Sequence, residues 1–281
     1  MKEFNEKVAV VTGADSGIGR GIVNAFATSG ADVVLAGLAA PRLEAAADEV
    51  RCDHGVRAEA VVADVRDAEA VEALADAAYD AFGAVHVVCN NAGVASMLAS
   101  TWEQPLADWR DVLAVNLYGV VHGVRAFVPR MLAGGEEGHV VNVSSMGGVT
   151  PTPQVASYCA SKHAVVGLSR TLREEFAATG APIGVTVVCP GGVRSQIMAS
   201  AAKRHDGSPL APAAQRVLDR LAATVEAGIT GDEAGTVIRD AVRTKRFYAF
   251  PNGAAYFGLV EDEHAQMEAA LAAEARPSWQ L

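Results

Sequence analysis

The chain alternates short, nearly continuous apolar runs with longer alanine-rich stretches, and this alternation restricts its fold more than any other feature. The runs are VAVVT (8–12), DVVLA (32–36), AEAVVA (58–63), VHVVCN (85–90), HVVNVS (139–144), GVTVVC (184–189) and FYAF (247–250). A strand that is apolar at almost every position is covered on both faces, as in a parallel sheet packed under helices. Helix patterns fill the gaps, over 17–29, 41–53, 67–82, 105–133, 153–179 and 231–243. Repeated strand–helix order predicts an α/β fold: one Rossmann-type, doubly wound parallel sheet of about seven strands flanked by helices. No Pro/Ser/Gly-rich linker divides the 281 residues, so a single domain over 1–281 is expected.

Two segments break the alternation. Residues 191–230 form a long excursion after the sixth strand, and its middle, RHDGSPLAP, reads as mobile. Insertions at the carboxyl end of a strand often cover a site. The tail, 251–281, carries a helix pattern near 261–274 and ends in RPSWQL. Trp279 so near the end is expected to dock, either on a second copy or back onto its own chain.

Composition removes several function classes. The net charge is −10 and no Lys/Arg cluster offsets it, which argues against a nucleic-acid partner. The longest apolar runs are broken by Gly, Asp or Asn, so no membrane span is expected. MKEFNEKVAVVTG carries two acidic residues and runs straight into a strand, unlike a signal peptide; the expected location is the cytoplasm. Cys52, Cys89, Cys159 and Cys189 contain no CxxC pair, and the seven histidines show no HExxH spacing. No metal site is therefore expected. Cys89 and Cys189 end apolar runs and read as small core residues.

Chemistry gathers at the strand ends. The first strand enters TGADSGIG (12–19), with Gly13, Gly17 and Gly19 at a turn that opens a helix. Such glycines permit close approach of backbone to a phosphate, and the first helical N–H groups suit a pyrophosphate. The spacing is GxxxGxG rather than GxGxxG, and the same glycines would also serve a bare strand-to-helix turn. The fourth strand ends in NNAG (90–93), the fifth in VSSMGG (143–148) and the sixth in PGGVRS (190–195). All fall on the carboxyl edge of the predicted sheet, where ligands bind in open α/β folds. Within SYCASKH, Tyr158 and Lys162 are four residues apart and share one helix face. Tyr158 follows Ser145 by 13 residues, far enough for a strand-end hydroxyl to face a phenol on the next helix.

Taken in order, TGADSGIG, NNAG, VNLYG (115–119), VSS, YCASK and PGGV resemble the short-chain dehydrogenase/reductases over nearly the whole chain. The resemblance implies one nicotinamide-dinucleotide-binding and catalytic domain and a tetrad of Asn116, Ser145, Tyr158 and Lys162. Tyr158 would be the general acid/base of an alcohol–ketone interconversion. A free phenol, with a pKa of about 10, is too weakly acidic for this near neutrality. Lys162 and an oxidised nicotinamide would favour the phenolate. Ser145 would hold the substrate oxygen, and Lys162 would also bond the nicotinamide ribose. Asn116 would kink its long helix and hold a proton-relaying water.

Cofactor contacts follow from the same resemblance. They comprise Gly13, Asp15, Ser16, Gly17, Ile18 and Gly19 in the glycine loop, then Gly37. Asp64 and Val65 would meet the adenine, Asn90 would line the adenine ribose, and Ala92 and Gly93 follow it as further contacts. Tyr158, Lys162, Pro190, Gly191, Val193 and Ser195 complete the set, with Ser195 at the carboxamide. Asp64 reads equally as part of a helix N-cap region, since DVRDAEA follows. Gly37 stands where an NAD-binding chain usually has an acid, and Leu38 where an NADP-binding relative often has Arg. Asp15 brings a negative charge to the same ribose. Arg42 is either the cation for a 2′-phosphate or a solvated helix residue. The expectation is use of both NAD(H) and NADP(H), tipped toward NADP(H).

Met97, Gly147, Val149 and residues 196–215 should surround the reacting carbon, with Arg194, Lys203 and Arg204 the only cations nearby. A small, uncharged, partly hydrophobic secondary alcohol or ketone is expected. Relatives of this kind form homodimers or homotetramers through the helices matching 105–133 and 153–179. A dehydratase or epimerase on the same scaffold, or a dinucleotide sensor without turnover, are the alternatives.

Overall fold

The computed structural model describes residues 1–204 and 210–274. Its strands are β1 (Val8–Thr12), β2 (Asp32–Gly37), β3 (Ala58–Val62), β4 (Val87–Asn90), β5 (Gly138–Val143), β6 (Ile183–Val188) and β7 (Tyr248–Ala249). All pair in parallel, in the order β3-β2-β1-β4-β5-β6-β7. The direction of winding reverses between β1 and β4. That switch point opens a crevice at the carboxyl ends of the strands, beside Thr12 and Asn90.

The continuous apolar strands feed two cores, one on each face. Val11, Val33 and Leu35 point to one side, under Ile22 and Phe26 of α1 (Gly17–Thr28), Leu43 and Val50 of α2 (Ala40–His54), and Ile238 of α9 (Gly231–Arg243). Val10 and Val34 point to the other, under Leu74 of α3 (Ala68–Phe82), Phe127 and Met131 of α5 (Gly119–Gly134), and Phe176 of α6 (Ala156–Thr179). The alternation of strand side chains divides one strand's residues between these two layers.

Four sequence expectations change in detail. The helix expected over 105–133 is divided into α4 (Leu106–Leu113), a π-turn at Ala114–Tyr118, and α5. The π-turn is closed by the Gly119 N–H on the Ala114 carbonyl, and it carries Asn116. The helix expected from 153 begins at Ala156, because Pro153 and a left-handed Gln154 (φ 69°) precede it. The excursion over 191–230, to which the sequence pattern assigns no element, holds α7 (Ile197–Arg204) and α8 (Pro212–Glu226). The tail helix, α10 (Phe257–Glu274), starts earlier than its pattern suggested. Most of RHDGSPLAP and all of RPSWQL, with Trp279, lie outside the described residues.

Among the described residues, the helical stretch Leu106–Gly134 is long and apolar enough to cross a membrane by length and composition, contrary to the broken-run expectation. Here its apolar residues Val112, Val120, Phe127 and Met131 are buried inside the protein.

One contact is closer than ordinary helix packing. α1 and α9 meet through Gly17 and Gly21 on one side and Gly231 and Gly235 on the other. A Cβ at Gly21 would fall inside the Gly231 carbonyl, and one at Gly235 inside the Gly21 carbonyl. The two backbones touch, with no side chain between them.

Candidate active site

The first turn of α6 and the end of β5 place the reacting groups. Lys162 is 3% exposed, and its Nζ donates to the Val143 carbonyl at 3.0 Å. Its Nζ stands 5.8 Å from the centroid of the Tyr158 ring. The Ser145 hydroxyl lies beside the Tyr158 ring, since a Cβ at Gly147 would fall 3.6 Å from Ser145 Oγ and 3.4 Å from Tyr158 Cε1, and it accepts from the Gly147 N–H at 3.1 Å. Ser144, one residue earlier, points the other way and donates to the Lys162 carbonyl at 2.8 Å. The two adjacent serines thus divide the work: Ser145 faces the phenol and Ser144 fastens the helix to the sheet.

Electrostatics differ from the sequence expectation. Burial pushes the Tyr158 phenol up to about 12, a rise that the neighbouring Ser145 hydroxyl only partly offsets. Burial also pulls Lys162 down to about 8. For both groups desolvation is the largest cause of the shift.

Asn116 is fully buried at the π-turn and reaches out of its own helix. Its Oδ1 accepts from the Val94 N–H at 2.8 Å, and its Nδ2 donates to the Val94 carbonyl at 3.0 Å and to Ser161 Oγ at 3.2 Å. Ser161 Oγ in turn donates to the Tyr158 carbonyl at 2.7 Å. Asn116 therefore links the loop after β4 to the helix of Tyr158. A Cβ at Gly93 would lie 3.3 Å from Asn116 Oδ1 and 3.4 Å from Lys162 Nζ, so all four tetrad members share one small region.

The glycine turn has the shape of a phosphate cradle. Gly13 (φ 63°) and Gly17 (φ 52°) adopt left-handed backbone, which only glycine accepts without strain. A Cβ at Gly19 would enter the Gly13 carbonyl. Ser16 caps α1 in extended conformation and makes no side-chain cap bond. Asn91 binds the turn to β4, with Nδ2 donating to the Thr12 carbonyl at 2.7 Å and to the Gly13 carbonyl at 3.3 Å. Thr12 Oγ1 accepts from the N–H groups of Asn91 and Ala92, both at 3.0 Å. Ser195 is carried to the same place: a Cβ at Gly17 would lie 2.9 Å from the Ser195 Cβ. Ile18 packs on the core below.

At the expected adenine end, two residues depart from their sequence reading. Asn90 does not point its side chain at the crevice. Its Nδ2 donates to Asn142 Oδ1 at 2.9 Å, and its Oδ1 faces Gly123, where a Cβ would collide with it. A ribose contact at Asn90 would fall to its backbone. Arg42 is not a free cation, because its guanidinium pairs with the Asp15 carboxylate. A Cβ at Gly37 would come 3.5 Å from Asp15 Oδ1, so this ion pair stands beside the position where the sequence reading looks for a cofactor-selecting side chain. Asp64 is held by Arg66, Nη2 to Oδ2 at 2.6 Å. That bond keeps its carboxyl below the usual range. Asp67, not Asp64, is the N-cap of α3 and accepts from the Glu69 N–H. Val65 is buried against Gly119, and its carbonyl meets His122 Nδ1 at 2.9 Å.

The segment after β6 is wedged between the excursion and the tail. The Met146 N–H donates to the Pro190 carbonyl at 2.9 Å and the Gly191 N–H to the Pro251 carbonyl at 2.9 Å. Val193 pairs with Ile229. Tyr158 packs into an apolar cluster made by Leu98, Val155, Ala201 and Ala214, with Leu218 and Leu221 against it. Val149 belongs to a neighbouring cluster with Met146 and Tyr256. Arg204 is committed to Asp108 at 3.3 Å.

Several residues here were missed from sequence. Asp108, Gln104 and Ser157 form a buried network, and Tyr256 reaches the Gly191 backbone from the tail. An acid or amide in an amphipathic helix, or a lone aromatic in a tail, carries no spacing that marks it. Ser157 had the one usable signal, its place directly before Tyr158.

Comparison with known proteins agrees with this geometry. Residues 7–206 match the family described as short chain dehydrogenase. The 1-deoxy-11-beta-hydroxypentalenate dehydrogenase of Streptomyces avermitilis is 38% identical over 245 residues, covering 87% of this chain and 84% of that protein. The enzyme of the same name from Streptomyces exfoliatus is 36% identical over 254 residues, covering 90% of this chain and 86% of that protein. A short chain dehydrogenase/reductase from Burkholderia phymatum, solved in complex with NAD, aligns with a TM-score of 0.89 at 35% identity, over 100% of this chain and 99% of that one.

Proposed function

The chain belongs to the short-chain dehydrogenase family of oxidoreductases, and we propose that it interconverts a secondary alcohol and a ketone with a nicotinamide dinucleotide. The observation that carries this reading is the convergence of Ser145, Tyr158, Lys162 and Asn116 beside a glycine cradle at one sheet edge. The names of the Streptomyces relatives, dehydrogenases of a hydroxy compound, agree with this bond change.

The residues present suit such a cofactor. Gly13, Ser16, Gly17, Ile18 and Gly19 would hold the pyrophosphate at the start of α1. Asp15 and Gly37 would meet one ribose, Asp64 and Val65 the adenine, and Ala92, Gly93, Pro190, Gly191, Val193 and Ser195 the nicotinamide side. When bound in oxidised form, the cofactor accepts hydride and supplies a positive charge beside the phenol. In the oxidation direction, Ser145 donates a hydrogen bond to the substrate oxygen. Tyr158, as phenolate, takes the hydroxyl proton. In reduction, the same phenol returns it. Lys162 holds the ribose and stabilises the phenolate once an added positive charge brings the phenol down. Asn116 keeps the Val94 loop and the Tyr158 helix in register.

Substrate and cofactor preference follow from what surrounds these groups. Leu98, Val155, Ala201 and Leu221 make the surroundings of Tyr158 apolar. Arg204 is neutralised by Asp108, which favours an uncharged, partly hydrophobic alcohol or ketone over an anion. The Asp15–Arg42 pair favours the other side of the cofactor balance. A 2′-phosphate would have to displace Asp15 from Arg42 and remain beside that carboxylate, whereas ribose hydroxyls can bond to both. Use of both cofactors, tipped toward NAD(H), is therefore proposed. A homo-oligomer is part of the same reading.

A panel of secondary alcohols and ketones, assayed with NAD(H) and NADP(H), tests the proposal. Turnover of apolar secondary alcohols supports it. Tight dinucleotide binding by fluorescence titration, with no turnover of any alcohol or ketone, would overturn it.

A further inference from the structure

Asp108 is a buried carboxylate outside the tetrad, and three parts of the site converge on it. It sits in α4 with its side chain 2% exposed. Its Oδ1 accepts from the Met97 N–H at 3.1 Å, in the loop that follows β4. Its Oδ2 accepts from the Ser157 hydroxyl at 3.0 Å, in the first turn of α6 and next to Tyr158. The third partner is Arg204 on α7, 3.3 Å from Oδ1, which also lies 3.7 Å from Asp111. Gln104 completes the arrangement: its Nε2 donates to the Met97 carbonyl at 2.8 Å, and its Oε1 accepts from the Ser157 N–H at 3.1 Å.

This network supplies what α6 lacks. Val155, the N-cap of α6, makes no side-chain cap bond, so the open N–H of the first turn needs an acceptor from elsewhere. Gln104 provides it, and Asp108 holds the hydroxyl of the same residue. Two neutral donors do not balance a buried carboxylate, which requires a cation within reach. Among the described residues, Arg204 is the cation that provides it, and it is the last residue of α7. The α7 helix also supplies Ala201 to the cluster around Tyr158.

We propose that Asp108 is a positioning residue that ties the seating of α7, through Arg204, to the placement of Tyr158 and of the substrate loop at Met97. With α7 seated, the carboxylate is neutralised and both Ser157 and Met97 are held. With α7 displaced, an unpaired charge is left under the catalytic helix, and its pins loosen. Covering the substrate and aligning the proton-transfer group become one event.

The test compares the parent with Arg204→Met, Arg204→Lys, Asp108→Asn and the double variant Asp108→Asn/Arg204→Met, all as full chains. The kinetic arm rests on the dehydrogenase reading. Arg204→Met should lower kcat/KM for the alcohol at least tenfold, while the dissociation constant for dinucleotide, read by fluorescence, changes less than twofold. The double variant should recover at least threefold of that loss, because the stranded charge is gone and Asn can still bond Met97 and Ser157. Arg204→Lys should recover part of it. The second arm needs no turnover: amide hydrogen exchange at Met97 and Ser157 should be at least tenfold faster in Arg204→Met and return toward the parent in the double variant. Faster exchange in Arg204→Met, alongside a parent that turns over no alcohol, would support the tie and sink the dehydrogenase reading. Parent-like exchange in Arg204→Met, or effects of Arg204→Met and Asp108→Asn that simply multiply, would overturn the tie in an active enzyme.

Discussion

The phosphate end and the substrate end of the cleft are built from different materials. At the phosphate end, shape comes from backbone: Gly13 and Gly17 in left-handed conformation, Gly19 against the Gly13 carbonyl, and α1 pressed on α9 through four glycines. At the substrate end, it comes from side chains that bond across elements distant in sequence, such as Asp108 with Ser157 and Arg204. A backbone-built site tolerates almost no change and so leaves a fixed pattern of residues. A side-chain network admits many solutions and leaves no pattern. The tetrad stands between them, with its residue types fixed by chemistry and its distances by the sheet edge.

Substitutions at each end should separate the two. The largest effect is expected at the tetrad itself. Tyr158→Phe keeps the ring in its apolar cluster and removes only the proton donor, so kcat should fall roughly 10²-fold or more with dinucleotide affinity unchanged. Near-normal turnover would return Tyr158 and Lys162 to an ordinary pair on a helix face.

Lys162 should next show the price of a buried ammonium. Burial lowers its pKa in the folded state to about 8, from an ordinary 10.5, so the folded state disfavours the charged form. The penalty is complete below pH 8 and is relieved as pH rises, by roughly 3 kcal/mol over the full window from 8 to 10.5. Above pH 10 the raised phenol of Tyr158 acts in the opposite direction. Chemical denaturation from pH 7 to 10 should therefore find stability rising in the parent and not in Lys162→Met. An equal rise in both proteins would assign it elsewhere.

Gly235→Ala drives a methyl into the Gly21 carbonyl and should destabilise the protein by about 1–3 kcal/mol, read as a lower thermal midpoint. At the cofactor position, Gly37→Asp adds a carboxylate beside Asp15. It should shift the ratio of kcat/KM further toward NAD(H), by about 1–3 kcal/mol. An unchanged ratio would show that the ribose does not reach this position. The smallest effect belongs to Gly167 in α6, where a Cβ would meet nothing within 4 Å. Gly167→Ala should be neutral or stabilise by up to about 1 kcal/mol. Gly235 and Gly167 are both helical glycines, and only their surroundings set the sign.

The same contrast explains what the sequence made legible. Strand runs such as VAVVT and HVVNVS could be placed because parallel strands buried on both faces leave little choice of residue. Tyr158, Lys162, Ser145 and the glycine turn could be placed because each is fixed by spacing or by backbone need. The break at Asn116 is expected from the family resemblance alone; the helical periodicity does not show it, since one extra residue in a turn hardly disturbs the pattern. The two helices of the excursion leave little trace in the sequence pattern: α7 spans only eight residues, and α8 starts on Pro212 itself. The inward turn of Asn90 and the Asp15–Arg42 pair depend on partners far apart in sequence, which local patterns do not record.

The glycine contact between α1 and α9 has a consequence for how such a chain can diverge. α9 begins directly after the excursion, and its first residue, Gly231, rests on Gly17 in the phosphate turn. The other end of the excursion is fixed as well, with Gly191 against the Asn252 backbone and Val193 paired with Ile229. Both ends of 196–226 are thus anchored to the unit that holds the dinucleotide. The stretch between behaves as a replaceable cassette: its length and lining can drift, or be exchanged by grafting, while the hydride-transfer machinery beneath keeps its alignment. New substrate ranges are then reached by rewriting one surface segment, provided the incoming segment brings its own cation for Asp108.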